Sequence, residues 1–169
     1  MRKNIRMGLD CSTTSTGYSI FNWNKLLCSG TIKPNQKLDW RSRIQYEWQA
    51  LNNIIKEYRP NTLYVEDVPL KDGKFTIQKL SVVQGIVLSL CAQYDIDAQF
   101  LLPSEWRGKL GMYDGTNEGK QRAVLKRKAV EMANNIFHLN LCWNGEGSKK
   151  TEDDRAEAIL ICYSQVKDF

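Results

Sequence analysis

Four acids in this chain occupy positions from which they could act together: Asp10, Glu66, Asp154 and Glu157. Asp10 ends the apolar run that starts at Ile5, and Glu66 ends Thr62-Leu-Tyr-Val-Glu66. Functional groups in open α/β sheets gather beyond the carboxyl ends of strands, so two strand-end acids converge if their strands are neighbours. Asp154 and Glu157 are three residues apart at the start of the last helical stretch. That spacing places both carboxylates on one helix face. Four carboxylates packed together repel one another and cannot all ionise unaided. Two magnesium ions about 4 Å apart remove the repulsion and suit phosphodiester hydrolysis, one activating water and the other stabilising the leaving oxygen. An oxygen-only donor set matches magnesium, with manganese as substitute. The chain's single histidine, His138, and its lack of a paired CxxC argue against softer metals and against structural zinc.

Each acid also has a plainer reading. Asp10 could be a turn residue closing a strand. Thr151-Glu-Asp-Asp154 fits a capping box, and acids in a first helical turn are favoured by the helix dipole. Glu66 is harder to explain this way, because it follows Leu63-Tyr-Val65, where an unpaired charge is costly. Glu157 lies past the first turn, beside Leu160 and Ile161, where the dipole argument weakens. The constellation carries more weight than any member.

The elements that must position these acids can be read from periodicity. Short apolar runs at 5–10, 17–21 and 26–32, joined by turn-forming residues, predict an antiparallel meander. Trp40, Ile44, Trp48, Leu51, Ile55 and Tyr58 recur at helical spacing, bounded by Pro60. Residues 62–66 form the fourth strand, reached from a helix and so parallel to its neighbour. Residues 77–93 read as a helix that is apolar nearly all round, buried in the body or in a dimer interface. A fifth strand at 97–102 precedes Pro103, and helices follow near 104–110, from about Lys120 to Phe137, and from about Thr151 to Val166. No repeat or Gly/Pro/Ser-rich linker divides the chain, so residues 1–169 are expected to form one α/β domain with a mixed five-stranded sheet flanked by helices.

Composition narrows the setting. With 169 residues, 42 % of them hydrophobic, the chain can bury one core. A formal charge of +5 is compatible with a polyanionic partner without requiring one. The odd count of five cysteines reads as reduced packing cysteine and predicts a cytoplasmic protein, bacterial or in an infected host. The basic N-terminus has no long apolar run behind it, so neither a signal peptide nor a membrane partner is expected. Basic residues cluster: Lys71, Lys74 and Lys79 around Phe75, Arg107 and Lys109 in the short helix, then Lys120, Arg122, Lys126, Arg127 and Lys128. Such clusters supply phosphate contacts, and Phe75 could stack on an unpaired base. An ordinary solvated helix face explains 120–128 almost as well, and simple packing explains Phe75 equally well. Trp106 and Trp143 read as core or interface residues.

Gly8-Leu-Asp10 with Thr14 and Gly17-Tyr18, then Tyr64-Val-Glu66, then Asp154-Arg-Ala-Glu157-Ala158, resembles the metal-binding set of RuvC-type Holliday junction resolvases. The likeness runs from Arg6 to Tyr163, and Leu102-Pro-Ser-Glu-Trp-Arg107 resembles a connection found in compact, phage-type members. The resemblance implies an RNase H-like sheet, a homodimer with two active sites, and paired nicking of branched DNA at a four-way junction. It assigns Asp10, Glu66, Asp154 and Glu157 as ligands of two magnesium ions, with Asp153 as the alternative to Asp154. A lysine, Lys120 or Lys109, would stabilise the transition state. The chain departs from the family in carrying Glu157 where Asp is commoner. It also has Pro69 where many cellular members place an aromatic, the nearest aromatic here being Phe75. Three other readings remain: a branched-DNA, flap or fork nuclease without junction preference, a non-catalytic junction-binding protein, and an ATP-binding relative. The last would need a second phosphate loop, and the chain has none.

Overall fold

The structure is a computed structural model that describes residues 4–68 and 73–168. Lys71, expected on the DNA-facing surface, and Pro69 lie outside the described residues. Strands β1 (Ile5–Asp10), β2 (Thr16–Asn22) and β3 (Lys25–Ile32) form the antiparallel meander. Helix α1 (Trp40–Tyr58) returns the chain to β4 (Thr62–Glu66), which pairs parallel with β1, and α2 (Lys74–Tyr94) leads to β5 (Asp97–Leu101), parallel to β4. The sheet order is β3-β2-β1-β4-β5. Helices α3 (Pro103–Lys109), α4 (Arg122–Phe137) and α5 (Asp153–Val166) complete the chain. This is the expected mixed sheet flanked by helices.

Strand pleating sorts the side chains between two cores. Ile5, Met7 and Leu9 of β1, with Leu63 and Val65 of β4, face α1 and α2. The alternate residues, among them Gly8, Tyr64 and the two strand-end acids, fall on the opposite face, where α3, α4 and α5 pack. The parallel register sets Leu9 opposite Val65, so the next residues along, Asp10 and Glu66, end adjacent strands on the same face. The parallel register thus brings the two strand ends together.

Helix α5 reaches that face closely because two strand residues lack a side chain. A Cβ on Gly17 would sit 1.9 Å from the Asp154 carbonyl oxygen, and one on Gly8 would sit 2.2 Å from that of Ala158. The Ser19 hydroxyl then donates to the Ala158 carbonyl at 2.8 Å, tying helix to strand. The helix starts differently from the expected capping box. Its N-cap is Glu152, with no side-chain cap bond, while the Thr151 hydroxyl donates to the Gly145 carbonyl and accepts from the Asn144 amide. Thr151 therefore closes the preceding loop, and the plainer account of Asp154 as part of a capping box loses its partner.

Two boundaries also shift. Helix α2 begins at Lys74, so Lys74 and Phe75 lie in its first turn, and α4 begins at Arg122, leaving Lys120 in the turn before it.

Candidate active site

The carboxyl ends of β1 and β4 and the first turns of α5 meet in a cleft of about 1050 Å3. Asp10, Glu66, Asp153, Asp154 and Glu157 all line it, so the acids singled out from three separate stretches share one site. Two cations stand among them. Arg107 of α3 donates to Glu157 at 2.6 Å and lies 3.6 Å from Glu66. Lys126 of α4 pairs with Asp153 and stands 3.6 Å from Asp154 and 3.8 Å from Glu157. Trp106, fully buried on α3, donates its indole N–H to Glu66 at 2.8 Å.

The electrostatics show a site with too much negative charge for its surroundings. Burial raises the Asp10 carboxyl well above its ordinary range, and Glu157, Glu66 and Asp154 push it further, against Lys126. Glu66 is pushed up to about 7 by burial and by Glu157, while Arg107, the Trp106 hydrogen bond and Lys126 act in the other direction. Asp154 is raised chiefly by burial. Burial would lower Lys126, but Glu157, Asp153 and Asp10 outweigh it and hold the ammonium charged. Arg107 behaves alike, held charged against its burial first by Glu157 and then by Glu66. Buried charges of this kind persist only when paired, and two cations do not balance this many carboxylates.

That imbalance tests the fit of a divalent metal, and the residues fit. The donors are all hard carboxylate oxygens, and burial, with repulsion from the neighbouring acids, raises Asp10 and Glu66 above their ordinary ranges. Among the described residues no three of His, Cys, Asp and Glu form a ready-closed ligand cage. The side chains of Arg107 and Lys126 lie between the acids.

The remaining basic residues sort by what they touch. Arg122 and Lys126 line the cleft with Arg107, as do Lys33 and Lys149, which the sequence reading had not singled out. Lys74, Lys79 and Phe75 lie on the first turns of α2, beside the cleft residues Thr76 and Leu80, with Phe75 79 % exposed. Simple packing within the chain therefore does not explain Phe75. Lys109 bonds Gln165 at 2.8 Å, toward the far end of α5. Lys128 braces the 111–119 loop through Asp114 at 2.8 Å, and Arg127 pairs with Glu131 along its own helix. Lys120 is exposed and does not line the cleft. The lysine brought among the acids is Lys126. Its signal was present, because it lies three and four residues before the buried Ala129 and Val130 and so shares their inward face. Trp106 carried no such signal, since an indole N–H aimed at a carboxylate looks like any core tryptophan in sequence.

Comparison with known proteins identifies the family and the fold. The family model described as "Crossover junction endodeoxyribonuclease RuvC" matches residues 6–139. Its match stops before α5, so the placement of Asp154 and Glu157 rests on the geometry above. A RuvC crossover junction endodeoxyribonuclease of Rickettsia bellii is 30 % identical over 164 residues, 95 % of each chain. That of Rickettsia akari is 27 % identical over the same share. Among solved structures, Thermus thermophilus RuvC in complex with Holliday junction substrate superposes with a TM-score of 0.72 at 15 % identity, covering 95 % of this chain and 90 % of that one. Fowlpox virus resolvase with Holliday junction DNA superposes at 0.62 and 13 % identity, covering 97 % of each. At those identities the structural matches establish the fold, which is the RNase H-like fold of the resolvases.

Proposed function

This chain belongs to the RuvC family of crossover junction endodeoxyribonucleases, and on that premise we propose that it is a metal-dependent endonuclease that resolves four-way DNA junctions by paired nicking. The observation that carries the reading is the convergence of Asp10, Glu66, Asp154 and Glu157 on one cleft whose walls are basic. Asp10, Glu66, Asp154 and Glu157 would hold two magnesium ions, with Asp153 the alternative to Asp154, although its pairing with Lys126 favours Asp154. Magnesium, or manganese in its place, supplies Lewis acidity at the scissile phosphate and lowers the pKa of the attacking water.

The protein's own part is to place and neutralise. The Trp106 indole and the Arg107 guanidinium fix the Glu66 carboxylate at the end of β4. Arg107 and Lys126 keep their charge in a buried setting, which places two fixed cations beside the site where negative charge grows during phosphoryl transfer. Arg122, Lys33 and Lys149 on the cleft walls serve as phosphate contacts, and Lys120, exposed in the turn before α4, adds positive charge beside Arg122 in sequence. Lys74, Lys79 and the exposed Phe75 extend that surface along α2, where Phe75 offers a stacking face to a base unpaired at the branch point.

Resolution by paired cuts needs two sites, and α2 supplies the surface for a homodimer. Val82 is 40 % and Leu88 49 % exposed on a helix whose other side packs Val83, Val87 and Leu90 into the core. By length and composition α2 could also span a membrane, but that buried side belongs to the core beneath the sheet. A second copy covering the exposed side explains both faces. A DNA substrate and unpaired cysteines support a cytoplasmic location.

The test is nicking of a synthetic four-way junction beside a matched linear duplex, a fork and a flap, with magnesium and with EDTA. Symmetric magnesium-dependent cuts on the junction, absent with Asp10→Asn and Glu66→Gln proteins that still bind it, establish the function. Equal cutting of forks and flaps would make it a general branched-DNA nuclease. Binding without cutting would leave a junction-binding protein.

A further inference from the structure

Helix α1 buries one acid that the metal site does not use. Glu47 is 0 % exposed, on the face shared with Ile44, Leu51 and Ile55. One of its oxygens, Oε1, meets the Thr16 hydroxyl at the start of β2, and the other, Oε2, is buried with no hydrogen-bond partner. Among the described residues no basic side chain pairs with it. Arg43, one turn earlier on α1, points its guanidinium to Gln36 instead, and α2, packed alongside, sends Tyr94 to Asn52. The titratable group facing Glu47 across the loop is Cys11, whose thiol is raised by burial and then by Glu47, Asp10 and Glu66.

Counting protons on Thr16 decides the state of Glu47. The Thr16 hydroxyl accepts the Ser12 amide N–H at 3.1 Å and contacts the Ser12 carbonyl at 3.0 Å as well as Glu47. It has one proton to give and two acceptors to give it to. All three contacts are hydrogen bonds only if Glu47 brings its own proton and donates to Thr16, leaving Thr16 free to donate to Ser12. An ionised Glu47 would claim the Thr16 proton and release the Ser12 carbonyl, and its charge would sit in the core without a partner. Ser12 lies two residues after Asp10, and its own hydroxyl accepts the Thr14 and Ser15 amides, so Ser12 links the turn between β1 and β2 to Thr16 and, through it, to Glu47.

We infer that Glu47 is held as an uncharged carboxylic acid and, through Thr16 and Ser12, is the positioning residue that fixes the β1–β2 turn and with it the Asp10 carboxylate. Its burial agrees, pushing the carboxyl up to about 7 against the Thr16 hydrogen bond. A raised acid of this kind contributes stability in full below its ordinary value and loses it as pH rises through about 7.

The inference rests on the nuclease reading only for its activity arm. Glu47→Gln keeps a donor for Thr16 and cannot ionise, whereas Thr16→Val removes the contact. Thermal melts of the metal-free full chain from pH 5 to 8 come first. The melting temperature of Glu47→Gln should rise relative to wild type as pH increases across that range. Single-turnover nicking of a four-way junction follows. Glu47→Gln should match wild type within about twofold at pH 6.5, while Thr16→Val should slow it roughly tenfold with junction binding intact, as misplacement of a reacting group does. Melting curves of Glu47→Gln that track wild type at every pH would overturn the inference. So would a Glu47→Gln protein as slow as Thr16→Val at pH 6.5. If wild type nicks no branched DNA, the nuclease reading falls, and the melts still decide for or against Glu47.

Discussion

Helices α2 and α5 are both apolar, and both lie against the one sheet, yet they relate to it in opposite ways. Of the 14 residues of α5, nine are buried, including the acid Glu157, whereas the longer α2 buries only Val83, Val87, Leu90 and Cys91. The difference comes from the strands. Gly8 and Gly17 let the α5 backbone approach until no side chain fits between, which carries Asp154 and Glu157 to the strand-end acids. Among the described residues nothing comparable draws α2 in, and Val82 and Leu88 stay exposed on its outer side. Apolarity made both helices candidates for the core, but the residues opposite them decided which one became part of it.

The comparison can be broken most severely at α5. Leu160→Ala empties a fully buried position and should cost about 3 kcal/mol, read by chemical denaturation. Leu88→Ala on α2 should fall within about 0.5 kcal/mol for the isolated protomer. Equal losses would mean that the two helices are alike after all. Gly17→Ala is expected to cost roughly 2–3 kcal/mol, because the Asp154 backbone must move away. It should also abolish nicking while leaving junction binding in place.

Titration sharpens the contrast by a slightly smaller amount. In the metal-free fold Asp10 and Glu66 keep protons that the unfolded chain has released, so stability falls as pH rises through about 7. Magnesium restores it, and the gain in melting temperature on adding magnesium should grow between pH 5 and 8. Coupled carboxylates of this sort suggest a swing of roughly 2 kcal/mol, and a flat magnesium gain would contradict the account. The smallest effect on the protomer belongs to Leu88→Glu. It should leave protomer stability nearly unchanged but halve the mass measured by light scattering, converting paired cuts to single nicks.

The same contrast explains what could be read from sequence. Strand-end acids were legible because an apolar run that stops at a carboxylate is a local signal, and the pleat then fixes which face it joins. Asp154 and Glu157 were legible by spacing. Lys126 was obscured by its neighbours Arg127 and Lys128, which share its charge but not its side of α4. Glu47 was hidden by the regular apolar spacing of α1, where an acid at a core position shows no partner until Thr16 arrives from 31 residues earlier. The burial of α5 depended on two glycines in distant strands, a relation between elements that no single stretch records.

The central claim is that acids from β1, β4 and α5 make one metal site. Calorimetric titration of manganese into wild type, Asp10→Asn, Glu157→Gln and the double variant tests it directly. Each single substitution should weaken binding about tenfold or more, and the double variant should lose less than the two effects combined, as ligands of a shared ion do. Manganese binding to Glu157→Gln with wild-type affinity would contradict the account and leave α5 as a packing helix beside a smaller site.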